Sequence, residues 1–150
     1  MTDPISFSST SPRFGLPLLY AGQSQKETYV NEAHALTDAL LHCAIESITA
    51  TPPASPTDGQ NWLVGASATG DWAGMDGKLA CRQAGNWIFV SARDGMVVLN
   101  RGTGQQMRFS GVWKTAAAVN TPTGGTVVDD VARSSISQII NALQQAGIIP

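Results

Sequence analysis

Charge is scarce in this chain. Only 13% of its 150 residues are Asp, Glu, Lys or Arg, about half the usual share of roughly 25%. The nine basic residues are scattered from Arg13 to Arg133, and the formal net charge is −2. A nucleic-acid footprint needs a basic patch, so that class of partner is excluded. So few charges suit a chain that covers much of its surface with other subunits. They also suit a plain surface of Gly, Ala, Thr and Ser.

Long apolar runs are missing too. No stretch of about 20 apolar residues exists to cross a membrane. The opening MTDPISFSSTSPRF has no basic segment followed by an apolar one, so it does not read as a secretory leader. The expectation is synthesis in the cytoplasm without a signal peptide. Histidine and cysteine number two each. His34 and His42 stand eight residues apart, about 80° apart around a helix, which is the wrong spacing for one shared metal. Cys43 and Cys81 read as lone buried thiols. No metal site and no cofactor is expected.

Catalytic signatures are equally thin. The chain contains no G-x-S-x-G elbow, no Walker A motif and no G-x-G-x-x-G. Gly102-Thr103-Gly104 falls between strand-like runs, not at a helix start, and makes no phosphate cradle. Asp71, Asp76 and Asp94 are the carboxylates to consider for glycoside hydrolysis, which needs two facing acids. All three adjoin glycines, where turn chemistry alone explains an aspartate. No catalytic residue is assigned, and an enzyme is not expected.

What is present divides the chain into four parts. Residues 1–13 are rich in Ser, Thr and Pro and form an N-terminal arm, either a disordered terminus or a strap that orders on a partner subunit. Residues 14–115 form a helix plus an antiparallel β domain. Ser24-Gln25-Lys26-Glu27 fits a capping box. Apolar residues from Tyr29 to Ile48 then recur every three or four positions, which predicts an amphipathic helix over about 25–48. Pro52, Pro53 and Asp58-Gly59 stop it. Between 60 and 115 the runs NWLV, KLACRQ, NWIFV, MVVLN, QMRFS and VWK alternate with glycines, the pattern of an antiparallel meander of five or six short strands. Asp94-Gly95 predicts a hairpin between NWIFV and MVVLN. Ala84-Gly85 and Ser110-Gly111 mark two more tight turns. Residues 116–125 read as a linker.

Residues 126–150 carry a second helix, with Thr126 as N-cap and Gly147 at its C-terminal end. Its apolar residues Ala132, Ile136, Ile139, Leu143 and Ala146 step by 4, 3, 4, 3, a short heptad seam. A helix behind a Gly-Gly linker either packs on its own sheet or pairs with copies of itself, and the seam favours the second. The fold class is therefore α+β: an N-terminal helix packed on a small antiparallel meander, followed by a C-terminal oligomerisation helix.

The tryptophans decide between a binding platform and a core. Trp62 shares a strand face with Val64, and Trp87 with Phe89, because side chains alternate with period two. Those rings read as core. Trp72, in the glycine-bounded GDWAG loop, reads as the exposed ring. Trp113 is ambiguous. Trp72 and Trp113 are the candidates for contact with a glycan or a protein partner.

The stretches FGLPLLYAGQSQKETYVNEA and ATGDWAGMDGKLACRQAGNWIF, with a proline-rich turn between them, resemble a domain of unknown function from alphaproteobacterial prophage and gene transfer agent virion proteins. There the domain occurs in tail-fibre-like and head-spike proteins. The resemblance spans about residues 14–95. Gln23, Lys26, Glu27, Asn31, Trp72 and Gly74 stand at family-like positions without a known role, and Met75 departs from the pattern. The resemblance implies a structural virion protein, the oligomeric base or adaptor of a head spike or tail fibre. Its partners would be itself, as a trimer or pentamer, and capsid or fibre proteins. The alternative is a glycan-binding module for attachment to a host capsule or cell surface.

Overall fold

The computed structural model describes Thr10, Leu16, Leu18 and residues 26–150, with the backbone alone for 26–29. Apart from Thr10 the arm lies outside the described residues, as does Ser24 of the capping box. The elements in chain order are helix α1 (Lys26–Leu40), strands β1 (Ala44–Ile45), β2 (Ile48–Thr49), β3 (Asn61–Val64), β4 (Leu79–Gln83), β5 (Asn86–Val90), β6 (Val97–Asn100), β7 (Gln105–Ser110) and β8 (Val112–Thr115), and helix α2 (Asp130–Gln145). The class is α+β. The six runs between 60 and 115 give β3 to β8. Two further short strands come from a segment whose apolar spacing predicted helix.

That segment corrects the extent of the first helix, which ends at Leu40 rather than near 48. His42 turns the chain with a left-handed φ of 48°, and the buried Asn61 fixes the new direction. Its Nδ2 donates to the carbonyls of Ala39 (3.2 Å) and Ala44 (3.4 Å). One of these is a carbonyl that the helix end leaves without an intrahelical partner. Beyond the turn, β-branched Ile45, Ile48 and Thr49 suit extended backbone.

Two four-stranded mixed sheets result, ordered β2-β3-β4-β5 and β1-β6-β7-β8. Each is a three-stranded antiparallel meander with one parallel strand on its edge. The parallel strands are consecutive: Ile45 lies opposite Asn100 in one sheet, and Ile48 lies opposite Leu63 in the other. Residues 44–49 thus run from one sheet into the next.

The turns divide into two kinds. Ala84 and Gly85 both have positive φ, 47° and 74°, as a two-residue type I′ hairpin requires, and they join β4 to β5. Ser110-Gly111 closes β7 onto β8 as predicted. Asp94-Gly95 does not make the expected hairpin. β5 and β6 belong to different sheets, and the turn carries the chain between them. Asp94 Oδ1 accepts from the Gly111 amide at 2.7 Å, and the Gly95 amide donates to the Phe109 carbonyl at 3.0 Å. The local turn chemistry is right, but its partners belong to the second meander.

The main core joins Ala39 and Cys43 to Ile45, Leu63, Leu79 and Cys81, and to Val98 and Met107 of the second sheet. The two sheets face each other across it. Both cysteines are buried thiols that are not joined in a disulfide. Each large apolar side chain so buried contributes about 1.5–3 kcal/mol.

Helix α2 starts later than predicted. Asp129, not Thr126, is its N-cap, with its carboxylate accepting from the Ala132 amide at 2.9 Å. At the other end Gly147 has a φ of 65°. The Gly147 amide donates to Gln144 O and the Ile148 amide to Leu143 O, the paired bonds of a Schellman motif. The Gly147 carbonyl then accepts from the Gln106 amide at 2.7 Å. A Cβ at Gly147 would sit 2.7 Å from the Gly104 carbonyl oxygen, so this docking requires glycine.

Candidate functional site

The sequence predicts an exposed ring in the GDWAG loop, and the structure corrects that expectation. Trp72 is 0% exposed. It sits in a single 3-10 turn, Gly70–Trp72, and folds back under the loop onto the outer face of β3, β4 and β5. There it meets Trp62 at 6.3 Å and Trp87 at 5.0 Å between ring centres, and Trp62 and Trp87 stand edge-to-face at 5.6 Å. Val64 and Ala80 complete this second core, with Met75 and Phe89 beside it. Trp62 and Val64 do share one strand face, and Trp87 and Phe89 another, as alternation predicts. Arg82 lies over the Trp87 ring at 5.0 Å, within cation–π range.

Asp76 holds the loop in this position. Its carboxylate accepts from the amides of Ser67 (2.9 Å) and Ala68 (3.0 Å). The Ala68 bond, followed by that of Ser67, holds its carboxyl below the ordinary value of 3.8, because both bonds favour the charged form. Ser67 itself has a left-handed φ of 59°. Asp76 and Asp94 thus each bind backbone amides, and Asp71 lies exposed in the first turn of the 3-10 segment. The three aspartates considered for hydrolysis occupy separate turns.

Trp113 is half-buried. Its Nε1 donates to the Gly77 carbonyl at 3.2 Å, and its ring meets Phe109 edge-to-face at 5.3 Å. It borders a groove of about 420 Å³ shared with Phe109, Lys78, Ser91 and Val112. With the indole N–H already paired, a ligand there would meet the ring by its carbon surface.

A second groove, of about 430 Å³, lies on the outer face of the second sheet. The strand register sets Val97, Arg108 and Lys114 in one row across β6, β7 and β8. All three point outward and are exposed. Arg108 and Lys114 directly opposite one another are like charges, a destabilising arrangement. Neither has an ion pair among the described residues. Ile148, just past α2, lines the same groove. Sequence reasoning missed this row. Its signal was the alternation in VVLN, QMRFS and VWKT, but only the strand register brings Arg108 to Lys114.

The seam of α2 faces away from its own body over most of its length. Ile139 is 59% exposed and Ile136 42%, Ala132 and Ala146 are exposed, and Leu143 is half-buried. Ile140, on the neighbouring flank, is buried together with Ile149. The helix is tethered at its C-terminal end while its heptad face remains open. Among the described residues, no group of three or more His, Cys, Asp or Glu side chains is placed to hold a metal ion.

Residues 30–114 match the family described as "Protein of unknown function (DUF2793)", and the chain belongs to that family. Among curated proteins no sequence matches. The match covers α1 from its second turn and nearly all of both sheets, and it stops before the linker and α2.

Proposed function

We propose that this chain is a structural component of a phage or gene-transfer-agent-like particle, the homo-oligomeric base or adaptor of a head spike or tail fibre. The observation that carries this reading is the open apolar seam of α2. A monomeric helix places its apolar stripe on its own core. Here Ile136 and Ile139 stay exposed although the same helix is anchored at Gly147. The link to virion proteins rests on the resemblance of the A-G-Q-S-Q-K-E and A-T-G-D-W-A-G segments. The low charge of the chain suits a surface that other subunits cover.

The test is the mass of the full-length chain in solution by light scattering, beside a variant carrying Ile136→Ser and Ile139→Ser. Both side chains are exposed, so the substitutions leave the protomer intact. The expected result is a defined oligomer for the parent and a monomer for the variant. A parent that stays monomeric at high concentration defeats the reading.

Glycan binding keeps one observation in its favour, the groove beside Trp113, while the buried Trp72 no longer supports it. Loss of glycan retention in Trp113→Ala, with retention unchanged in Val97→Ser, would favour that second reading.

A further inference from the structure

The first sheet is covered on both faces and open along one edge. The order β2-β3-β4-β5 gives β5 a neighbouring strand on one side only. The bonds of β4 decide which groups of β5 face outward. The Arg82 amide donates to the Gln60 carbonyl, and the Arg82 carbonyl accepts from the Gly59 amide. Arg82 thus turns its backbone groups away from β5. Trp87 stands opposite Arg82, and Phe89 stands opposite Ala80. In an antiparallel ladder, pairs that exchange bonds alternate with pairs that do not. The N–H and C=O of Trp87 and Phe89 therefore point away from β4. Among the described residues, no backbone hydrogen bond reaches them.

The other sheet edges are guarded. β1 and β2 are two residues long, and β8 carries the exposed Lys114. Short strands and lysines are devices that keep an edge from pairing. β5 has neither, and its register with β4 runs without a bulge. Residues 83–92 contain no charge and no proline. Trp87, Ile88, Phe89 and Val90 are all half-buried.

We propose that β5 pairs with β5 of a second copy of this chain, antiparallel about a twofold axis at Ile88. This register pairs outward residues that all lie within the strand. Trp87 exchanges both backbone bonds with Phe89 of the second copy, and Phe89 does the same with Trp87 of that copy. Ile88 meets Ile88 across the axis on the side of the main core. Trp87 and Phe89 adjoin on the side of the Trp72 core. Both cores run on into the second copy, as an isologous contact allows. A pairing of so few residues is small beside the roughly 1,200–2,000 Å² of a stable interface, so alone it holds only near about millimolar concentration. It is separate from the α2 seam, and it lies inside residues 30–114, which match the family. An oligomer built through the seam presents one such edge per copy, and several weak contacts then act together.

The experiment takes the full chain carrying Ile136→Ser and Ile139→Ser, which sets the seam aside. Its mass is followed by sedimentation from about ten micromolar to about one millimolar. The expected result is a monomer at the low end and a growing share of dimer at the high end. Amide exchange at Trp87 and Phe89 should slow about twofold when half the chains are paired. Ile88→Lys sets two ammonium groups opposite each other and should weaken pairing about tenfold or more, while Ile88→Thr should keep it. Phe89→Pro removes an outward N–H and no bond to β4, a change an edge strand tolerates, and Phe89→Val removes the ring alone. Pairing should be lost with proline and kept with valine. Circular dichroism confirms that each variant folds. A chain that stays monomeric throughout overturns the proposal. A dimer indifferent to Ile88→Lys and Phe89→Pro also overturns it, because the contact then lies elsewhere. Neither outcome touches the reading of α2, which the mass of the parent at low concentration tests separately.

Discussion

The two sheets share one plan and differ in how their outer faces are closed. In both, a three-stranded meander carries a parallel strand on its edge. The first meander inserts residues 65–78 between its first two strands. That loop folds over the outer face and seals it with Trp72, so β3 is buried along its whole length. The second meander makes the same connection with residues 101–104 alone. Its outer face keeps Val97, Leu99 and Arg108 exposed, and among the described residues the tail of α2 reaches it through Ile148. One insertion therefore separates a sheet that is complete in itself from one that presents a surface. The difference lies in what covers each face rather than in residue type, since the aromatic side is the closed one.

Removing the cover should have the largest effect. Trp72→Ala should cost about 3–5 kcal/mol, read as a lowered urea midpoint, and should expose Trp62 and Trp87 to a collisional quencher. An unchanged midpoint would mean that the ring covers nothing. Asp76→Asn should matter less and reveals itself through pH. The folded-state pKa of Asp76 lies below its unfolded value. Its contribution is therefore fully present above the ordinary 3.8 and is lost as pH falls through the folded value, because the unfolded chain binds the proton first. The parent should lose stability below that pH more steeply than the variant in matched acid titrations. The smallest effect is expected on the bare sheet. Leu99→Ser should shift protomer stability by about 0.5 kcal/mol or less, measured at a concentration where the chain is monomeric. A larger loss would show that the second face is closed within one chain.

The legible parts of the fold were those decided by neighbours in sequence. Alternation placed Trp62 with Val64 and Trp87 with Phe89. Positive-φ turn residues marked Ala84-Gly85, and Gly147 marked the end of α2. The illegible parts were decided by distant partners. The stripe from Tyr29 to Ile48 kept helical spacing, yet α1 stops where Asn61 receives it, 22 residues from Ala39. Asp94-Gly95 has hairpin chemistry, but its amide and carboxylate partners lie on Phe109 and Gly111. Trp72 looked exposed because glycines surround it. Those same glycines let the loop double back, with Gly70 at a φ of 58° against the Pro52 ring. Arg108 and Lys114 carried no motif at all. Strand register alone makes them a pair.

The six residues from Ala44 to Thr49 join the sheets in a way that bears on folding rates and on engineering. Each meander borrows its edge from the same stretch of chain, so neither can be excised as an independent unit. The pairing of Ile45 with Asn100 closes a long loop, and such non-local contacts slow folding. That edge should therefore form late, and it should lock both halves into a single all-or-none transition.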